Sequence, residues 1–245
     1  MQVAHEHNIL QEKLSKTEAA LEQVRADYEK FAYCVTHDLS APLRHIDGFT
    51  QLALKNIGDD LDEDTQHFFS RMLAAQQKSK SLLDDLLLFS RINTRAAAPV
   101  QMNLKKLFEQ CLMPFSATIK SQGMEVEVAD LPYLSVDVEQ MKLLFSSIID
   151  NALKYATSTK PYLKVSAQQD NGLIELRFTD NGIGIEEKHH EKVFEPFRKA
   201  RIEDGSEGNG IGLTLVRKIA QRHHGDAVIE SNPEGGITVV VTLAE

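Results

Sequence analysis

A two-part fold is predicted: an all-α N-terminal half, in which a coiled coil runs into a helical hairpin, and then an α/β half with a mixed, mainly antiparallel sheet and helices on one face. Three features predict it. Apolar or near-apolar residues fall at Leu10, Leu14, Thr17, Leu21, Val24, Tyr28, Phe31 and Val35, in alternating steps of four and three. Helical periodicity then continues to Ile92 with one polar interruption, Asn56-Ile57-Gly58-Asp59-Asp60. Beyond Pro99 short strand-like runs alternate with helices, and Asp170-Asn171-Gly172 joins two of the runs as a tight turn.

The stepped stripe repeats every 3.5 residues on average, slightly less than the 3.6 of a straight helix, so it stays on one face only if two helices supercoil. That predicts a homodimer, with a seam from Leu10 to Val35 about 40 Å long. A single amphipathic helix packed on its own domain is the alternative, and such faces are usually wider than a two-position stripe. The helical pattern reaches about Leu54 and resumes from about Asp62 with Phe69, Met72, Leu73, Leu83, Leu86 and Leu87. Two long helices and a short polar loop make an antiparallel hairpin, and a hairpin with a dimerising face pairs into a four-helix bundle. Asn93 to Pro99, rich in Ala and closed by Pro, reads as a linker. Beyond it, helices are expected near 104–121, 138–156 and 211–224. Strands are expected at Glu125 to Val128, Leu163 to Ala167, Leu173 to Phe178, Ala227 to Glu230 and Ile237 to Leu243.

Composition narrows the function. With 245 residues and 42% hydrophobic content, the chain has enough material for one large or two small cores. Its apolar runs fall far short of the roughly 20 residues that span a bilayer, so no membrane segment is expected. The N-terminus lacks the basic start and apolar stretch of a signal peptide. Cys34 and Cys111 lie far apart without ligand spacing, which argues against a disulfide framework or a zinc site and fits a reducing, cytoplasmic location. A net charge of −9 argues against broad nucleic-acid binding. Proteins and a nucleotide are the expected partners.

Four segments carry chemistry. Asp180-Asn181-Gly182-Ile183-Gly184-Ile185 follows a strand: a carboxylate there suits the exocyclic amine of adenine, and Gly182 and Gly184 admit a flat base against the backbone. Gly208-Asn209-Gly210-Ile211-Gly212-Leu213 opens an amphipathic helix, where bare amides form a phosphate cradle. It lacks the Gly-Lys-Ser/Thr of a Walker loop, and Leu213 stands where a dinucleotide fingerprint needs a small residue. The polar stretch Arg201 to Glu207 before it, holding Gly205, reads as a lid. On the helix 138–156, Asn151 and Lys154 share a face next to Tyr155; an amide oxygen suits Mg²⁺ and an ammonium suits phosphate. Within the long first helix, His37 is followed by Asp38 and, five residues on, by Pro42, which removes a backbone bond and is expected to bend the helix there. A neutral imidazole attacks through one nitrogen when the other is held as N–H, and Asp38 suits that second role. Each segment alone admits a plainer reading: a common turn, a solvated helix face, a surface ion pair. His189, His190, His223 and His224 are read as structural, and no other metal site is expected.

Together and in order, H-D-L-S-A-P-L at 37–43, D-N-A-L-K-Y at 150–155, D-N-G-I-G-I at 180–185, F-E-P-F at 194–197 and G-N-G-I-G-L at 208–213 resemble the catalytic core of sensor histidine kinases of two-component systems. The likeness extends over nearly the whole chain, and H-D-x-x-A-P-L-R, ending at Arg44, is similar to the phytochrome-like or PAS-linked subgroup. The resemblance implies a coiled-coil signalling helix at 1–30, a dimerisation and phosphotransfer domain at 31–96, and a catalytic domain at 97–245 with the Bergerat (GHKL) ATP-binding fold. It implies ATP and Mg²⁺ as ligands, His37 as phosphoacceptor, Asp38 as its general base and Asn151 as the Mg²⁺ ligand. Asp180 would read adenine. Lys154, Tyr155, Gly182, Gly184, Ile185, Gly208, Gly210, Gly212 and Leu213 would line the nucleotide, with Arg198 or Lys199 at its phosphates. A response-regulator receiver domain is the implied partner and an upstream sensor domain is expected.

Two positions depart from the family pattern. Ser147 stands where the N box usually has a second Asn, which implies weaker metal binding. Ala41 stands where kinases that also dephosphorylate their partners carry Thr or Asn to orient water. Two alternatives follow. An ATPase of the gyrase kind would need a carboxylate at Ser147 to activate water, and a non-catalytic scaffold would bind nucleotide without turnover.

Overall fold

The structure, a computed structural model, describes the backbone of residues 2–57, 61–94, 97–157, 159–170, 172–199 and 208–244. The expected lid at Arg201 to Glu207, most of the expected loop at 56–60 and Asn171 of the expected turn lie outside the described residues, as does the side chain of Leu10 at the start of the seam. The chain divides into two compact units, residues 1–95 and 96–245.

The first unit is two helices, α1 (Gln2–Ile57) and α2 (Glu63–Thr94). Asp62 begins α2 by accepting a hydrogen bond from the Thr65 amide at 2.7 Å, satisfying a free donor of the first turn. The helices are antiparallel. Thr36 of α1 donates to the carbonyl of Leu83 at 3.5 Å, and Gln76 of α2 donates to the carbonyl of Leu43 at 2.8 Å, so seven residues forward on α1 correspond to seven backward on α2. Ala32 and Ile92 are buried between them. By contrast Leu14, Leu21, Val24, Tyr28 and Phe31 of the seam all stay exposed on the single chain, Val24 at 65% and Phe31 at 64%. α2 continues to Thr94, two residues into the segment expected as linker, because neither Asn93 nor Thr94 interrupts the backbone ladder as Pro or Gly would.

The second unit holds a five-stranded sheet in the order β2 (Glu125–Val128), β4 (Tyr162–Asp170), β5 (Leu173–Asp180), β7 (Ile237–Ala244), β6 (Ala227–Ser231). β2 and β4 pair in parallel and the other pairs are antiparallel. On β5, Ile174, Leu176 and Phe178 are buried, while Arg177 between them pairs with Glu175 and Glu230. That alternation assigns one face to the core. Onto it pack α3 (Leu104–Leu112), α5 (Val138–Lys154) and α6 (Gly212–Arg222), with Phe108, Phe145 and Phe178 meeting at centroid distances of 5.2 to 6.0 Å. Truncating a ring of this kind typically costs about 3–5 kcal/mol.

Three expectations need correction. The helix expected over 104–121 is broken: α3 ends at Leu112, a 3-10 turn covers Met113–Phe115, and α4 (Ser116–Gln122) follows. Pro114 is the cause, since it has no N–H for the carbonyl four residues back and its ring crowds that group. Two strands were not expected, β1 (Val100–Asn103) and β3 (Tyr133–Val136), which form a separate antiparallel pair. β4, β5, β6 and β7 each run one to three residues beyond an expected end.

α5 and α6 are tied at their far ends. Asp137 caps α5, one carboxylate oxygen accepting from the amides of Glu139 and Gln140 and the other from the amide of Ala97. His223 at the end of α6 donates from Nδ1 to the carbonyl of Ile219 at 2.8 Å and accepts the Asp137 amide at Nε2 at 3.2 Å. The histidine is structural, as its position at a helix end suggested.

Candidate functional site

Within the second unit, residues 150–155, 180–185 and 208–213, far apart in sequence, converge. Asp180 ends β5 half-buried, and its Oδ1 accepts from the amide of Gly182 at 2.9 Å and of Ile237 at 3.4 Å. Oδ2 accepts nothing from the described residues and is available to an outside donor. Burial raises the Asp180 carboxyl above the usual range, and the two amides oppose that shift. The Ile183 amide donates to the carbonyl of Tyr155 at 3.1 Å, which joins the first glycine segment to the end of α5. This approach requires glycine: a Cβ on Gly182 would stand 2.5 Å from the Tyr155 carbonyl oxygen. Ile185 is held through its carbonyl by His190 Nε2 at 2.9 Å, and Gly184 faces Gly236 across the loop.

One turn of α5 away, Asn151 and Lys154 face the second glycine segment. A Cβ built on Gly212 would lie 3.5 and 3.6 Å from the Asn151 amide atoms and 3.8 Å from Ser147 Cβ, and one built on Gly208 would lie 3.4 Å from Lys154 Nζ. Lys154 also pairs with Asp150. α3 and α5 have side-chain caps from Asn103 and Asp137, whereas the N-terminus of α6 at Ile211-Gly212-Leu213 has none. The start of α6 thus lies beside Asn151 without a side-chain cap, and an uncapped helix N-terminus favours an anion. Arg198 contributes its backbone: its carbonyl packs so closely under Gly210 that a Cβ there would be 2.5 Å away, while its guanidinium pairs with Glu195. Lys199 is half-buried at the end of the described segment before the second glycine segment.

The residues sequence reasoning missed lie in the turn between β6 and β7. Gly236, with φ of 80°, presses against Asp180; a Cβ would stand 2.3 Å from the Asp180 carbonyl oxygen and 2.6 Å from its Oδ1. Asn232 donates to that same carbonyl at 2.8 Å. The signal was the dipeptide Gly235-Gly236, which marks a turn but not what the turn touches.

On the first unit, His37 and Asp38 are 71% and 78% exposed, and Nδ1 of His37 donates to Oδ1 of Asp38 at 3.0 Å. The ring of Tyr33, one turn earlier, stacks 6.1 Å from the imidazole. With Nδ1 engaged, the lone pair of the neutral ring lies on Nε2. Pro42 is accommodated inside α1, and Ser40 donates to the Thr36 carbonyl at 2.6 Å in the turn beside it.

Among the described residues no helix is long and apolar enough to cross a membrane, and no His, Cys, Asp or Glu cluster has metal-site geometry. An oxygen-ligated Mg²⁺ shared with phosphate needs no such cluster, and Asn151 Oδ1 supplies a fitting neutral oxygen beside the uncapped helix end.

A family model of the His Kinase A (phospho-acceptor) domain matches residues 28–95, and one of the histidine kinase-, DNA gyrase B- and HSP90-like ATPase matches residues 136–245. Over 232 residues the chain is 30% identical to phytochrome-like protein Cph1 of Synechocystis sp., covering 95% of this chain and 31% of that protein. Over 237 residues it is 32% identical to the methanogenesis regulatory histidine kinase FilI of Methanothrix harundinacea, covering 96% of this chain and 26% of that one. The chain therefore spans about a third or less of the length of these relatives. The crystal structure of full-length ShkA in complex with AMPPNP shares its fold, with a TM-score of 0.65 at 19% identity over 87% of this chain and 45% of that chain.

Proposed function

The chain belongs to the histidine kinases through both of its domains, and from that premise we propose that it transfers the γ-phosphoryl group of ATP to His37 and then passes it to an aspartate of a response-regulator receiver domain. The observation that carries the nucleotide half is the convergence of Asp180, Asn151 and Lys154 on two glycine segments and one uncapped helix end. Adenine gives its exocyclic amine to Asp180 Oδ2, beside the close backbone contacts that Gly182 and Gly236 permit. The phosphates lie at the start of α6 beside Lys154. Asn151 holds Mg²⁺, which when bound neutralises phosphate charge. Gly184, Ile185, Tyr155, Gly208, Gly210 and Leu213 shape the walls, and Arg198 or Lys199 adds cationic charge at the phosphate end.

The chemical half rests on His37. Its Nε2 attacks the γ-phosphorus, the N–P bond forms, and the bond to the bridging oxygen breaks with its electron pair leaving on ADP. The positive charge that develops on the imidazole is met at Nδ1–H by Asp38, which accepts the proton. In the second transfer a receiver carboxylate takes the phosphoryl group, the N–P bond breaks with its electron pair staying on Nε2, and Asp38 returns the proton to Nδ1, so neutral imidazole is restored. The exposed seam of α1 supports action as a homodimer in a four-helix bundle, through which an upstream sensor domain would signal.

Incubation with γ-labelled ATP and Mg²⁺ tests this. The expected product is protein-bound label, labile in acid, stable in base and absent from His37→Gln. Free phosphate without labelled protein would establish the water-attacking ATPase instead, and neither product would leave a nucleotide-binding scaffold.

A further inference from the structure

The turn between β6 and β7 is connected to Asp180 by more than packing. Asn232 sits at the centre of the connection. Its Nδ2 donates to the Asp180 carbonyl at 2.8 Å and to the Tyr162 hydroxyl at 3.0 Å, and its Oδ1 accepts the Glu234 amide at 3.1 Å. The Tyr162 hydroxyl in turn donates to Glu234 Oε2 at 3.1 Å. The Asn232 backbone closes the turn on itself, donating to the Gly236 carbonyl at 3.3 Å and accepting the Gly235 amide at 3.0 Å. One side chain therefore links the end of β5, the start of β4 and the glycine turn. Ile237, the first residue of β7 after the turn, donates its amide to Oδ1 of Asp180 at 3.4 Å.

We infer that Asn232 is a specificity-determining positioning residue, which selects adenine over guanine by fixing the direction of the Asp180 carboxylate. The inference rests on the reading that adenine lies at Asp180. A carboxylate is not selective by itself, because it accepts from any donor. Adenine offers its exocyclic amine where guanine carries a ring carbonyl oxygen. Guanine, however, has a ring N–H and an exocyclic amine of its own further along the same edge, and a carboxylate free to swing would take those. Selectivity needs one oxygen occupied and the other held toward the position where the two bases differ. Gly182 and Ile237 occupy Oδ1, and only the Gly182 amide belongs to the loop of Asp180 itself. The Ile237 amide comes from a strand 57 residues away, and Asn232 holds its distance from the Asp180 backbone. Without the Nδ2 donor, the turn keeps its glycines but loses its tether to the strand end, and Oδ1 and Oδ2 become interchangeable.

Titration calorimetry with ATP and with GTP, each with Mg²⁺, on the whole chain tests this, with thermal melting run on every variant. The preference of the unmodified chain for ATP should fall roughly tenfold in Asn232→Ala, the scale expected when one well-made hydrogen bond is removed, with GTP affinity unchanged or improved. Tyr162→Phe keeps the ring and removes the hydroxyl that orients the Asn232 amide. It should lower the same ratio by a smaller factor, and it serves if Asn232→Ala melts too low to measure. A purely structural role would weaken both nucleotides equally, and an unchanged ATP-to-GTP ratio in both variants would overturn the inference. An unmodified chain that binds no ATP would overturn the reading of the site and the inference with it. ATP preference lost in Asp180→Asn but kept in Asn232→Ala would overturn the inference alone.

Discussion

Gly235 and Gly236 are consecutive and both have positive φ, 97° and 80°, but a methyl group on each meets different surroundings. For Gly235 the nearest atom is the Gly182 carbonyl oxygen at 4.0 Å. For Gly236 the Asp180 carbonyl oxygen is at 2.3 Å, with Asp180 Oδ1 and the Gly182 nitrogen each at 2.6 Å. Gly235→Ala therefore carries the backbone cost alone, about 1–3 kcal/mol, and each kcal/mol lowers the melting temperature by roughly 2–4 °C. Gly236→Ala carries that cost and a displacement as well, because ordinary contact begins at 3.4 Å and the turn must retreat from Asp180 by about 1 Å. A binding group tolerates about 0.5 Å, and a 1 Å error in placement costs on the order of 10²-fold in rate. The expected result is a pair of variants that both fold. Gly235→Ala would take up label from γ-labelled ATP at near the normal rate, and Gly236→Ala would be slowed about 10²-fold at subsaturating ATP. Equal labelling by the two variants, with melting temperatures that also agree, would refute the claim that this turn sets the position of Asp180.

Three further outcomes follow from charge and exposure. Asp180 is raised by burial, so over the interval from the ordinary carboxylate range to its raised value the folded chain keeps a proton that the unfolded chain has released; its contribution to stability is full below that interval and is lost as pH rises through it. ATP needs the ionised form, so calorimetric affinity for ATP should fall as pH drops through the same interval, and a pH-independent affinity would contradict the assignment of Asp180 to the base. Lys218 on α6 is pushed down to about 8 by burial, so between about 8 and the ordinary 10.5 the unfolded chain holds the extra proton and stability rises with pH. Lys218→Met should flatten that rise in denaturant midpoints measured across the range. Finally, Val24→Glu combined with Phe31→Glu charges two exposed seam positions, and light scattering should then report monomers with unchanged helix content; a dimer that survives both substitutions would rule out the seam as the contact.

What was legible in the sequence and what was not divides by the distance over which each signal acts. The seam, the hairpin and the strands of the main sheet are local periodicities eight to dozens of residues long, except for the four-residue β2 and the five-residue β6. They could be read without knowing what they pack against. β1 and β3 are four residues each and pair only with each other, outside the main sheet, so little sets them apart from loop; β2, equally short, was legible through its alternating Glu-Val-Glu-Val. Pro114 was a local signal that outweighed the helical periodicity around it, because a missing donor and a steric clash are not averaged away by good neighbours.

The site divides in the same way. His37, Asn151, Asp180 and the glycines of 182–184 and 208–212 announce themselves by residue type and spacing, but within the second unit the contact of Asp180 with the Gly235-Gly236 turn is a property of the sheet order, in which β7 lies beside β5 and brings that turn onto Asp180 from 56 residues away. No window of sequence contains that contact. Gly212 and Ser147 make the same point from the opposite direction. Ser147 is a departure from the family pattern on paper, yet its Cβ lies 3.8 Å from where a Gly212 side chain would begin. It therefore sits behind the first turn of α6, where a smaller side chain leaves Asn151 as the amide that faces the second glycine segment. A substitution that restores Asn at residue 147 should for that reason be judged by the Mg²⁺ concentration needed for half-maximal labelling: the extra oxygen lowers that concentration if the position reaches the metal, and leaves it unchanged if Gly212 and α6 screen it.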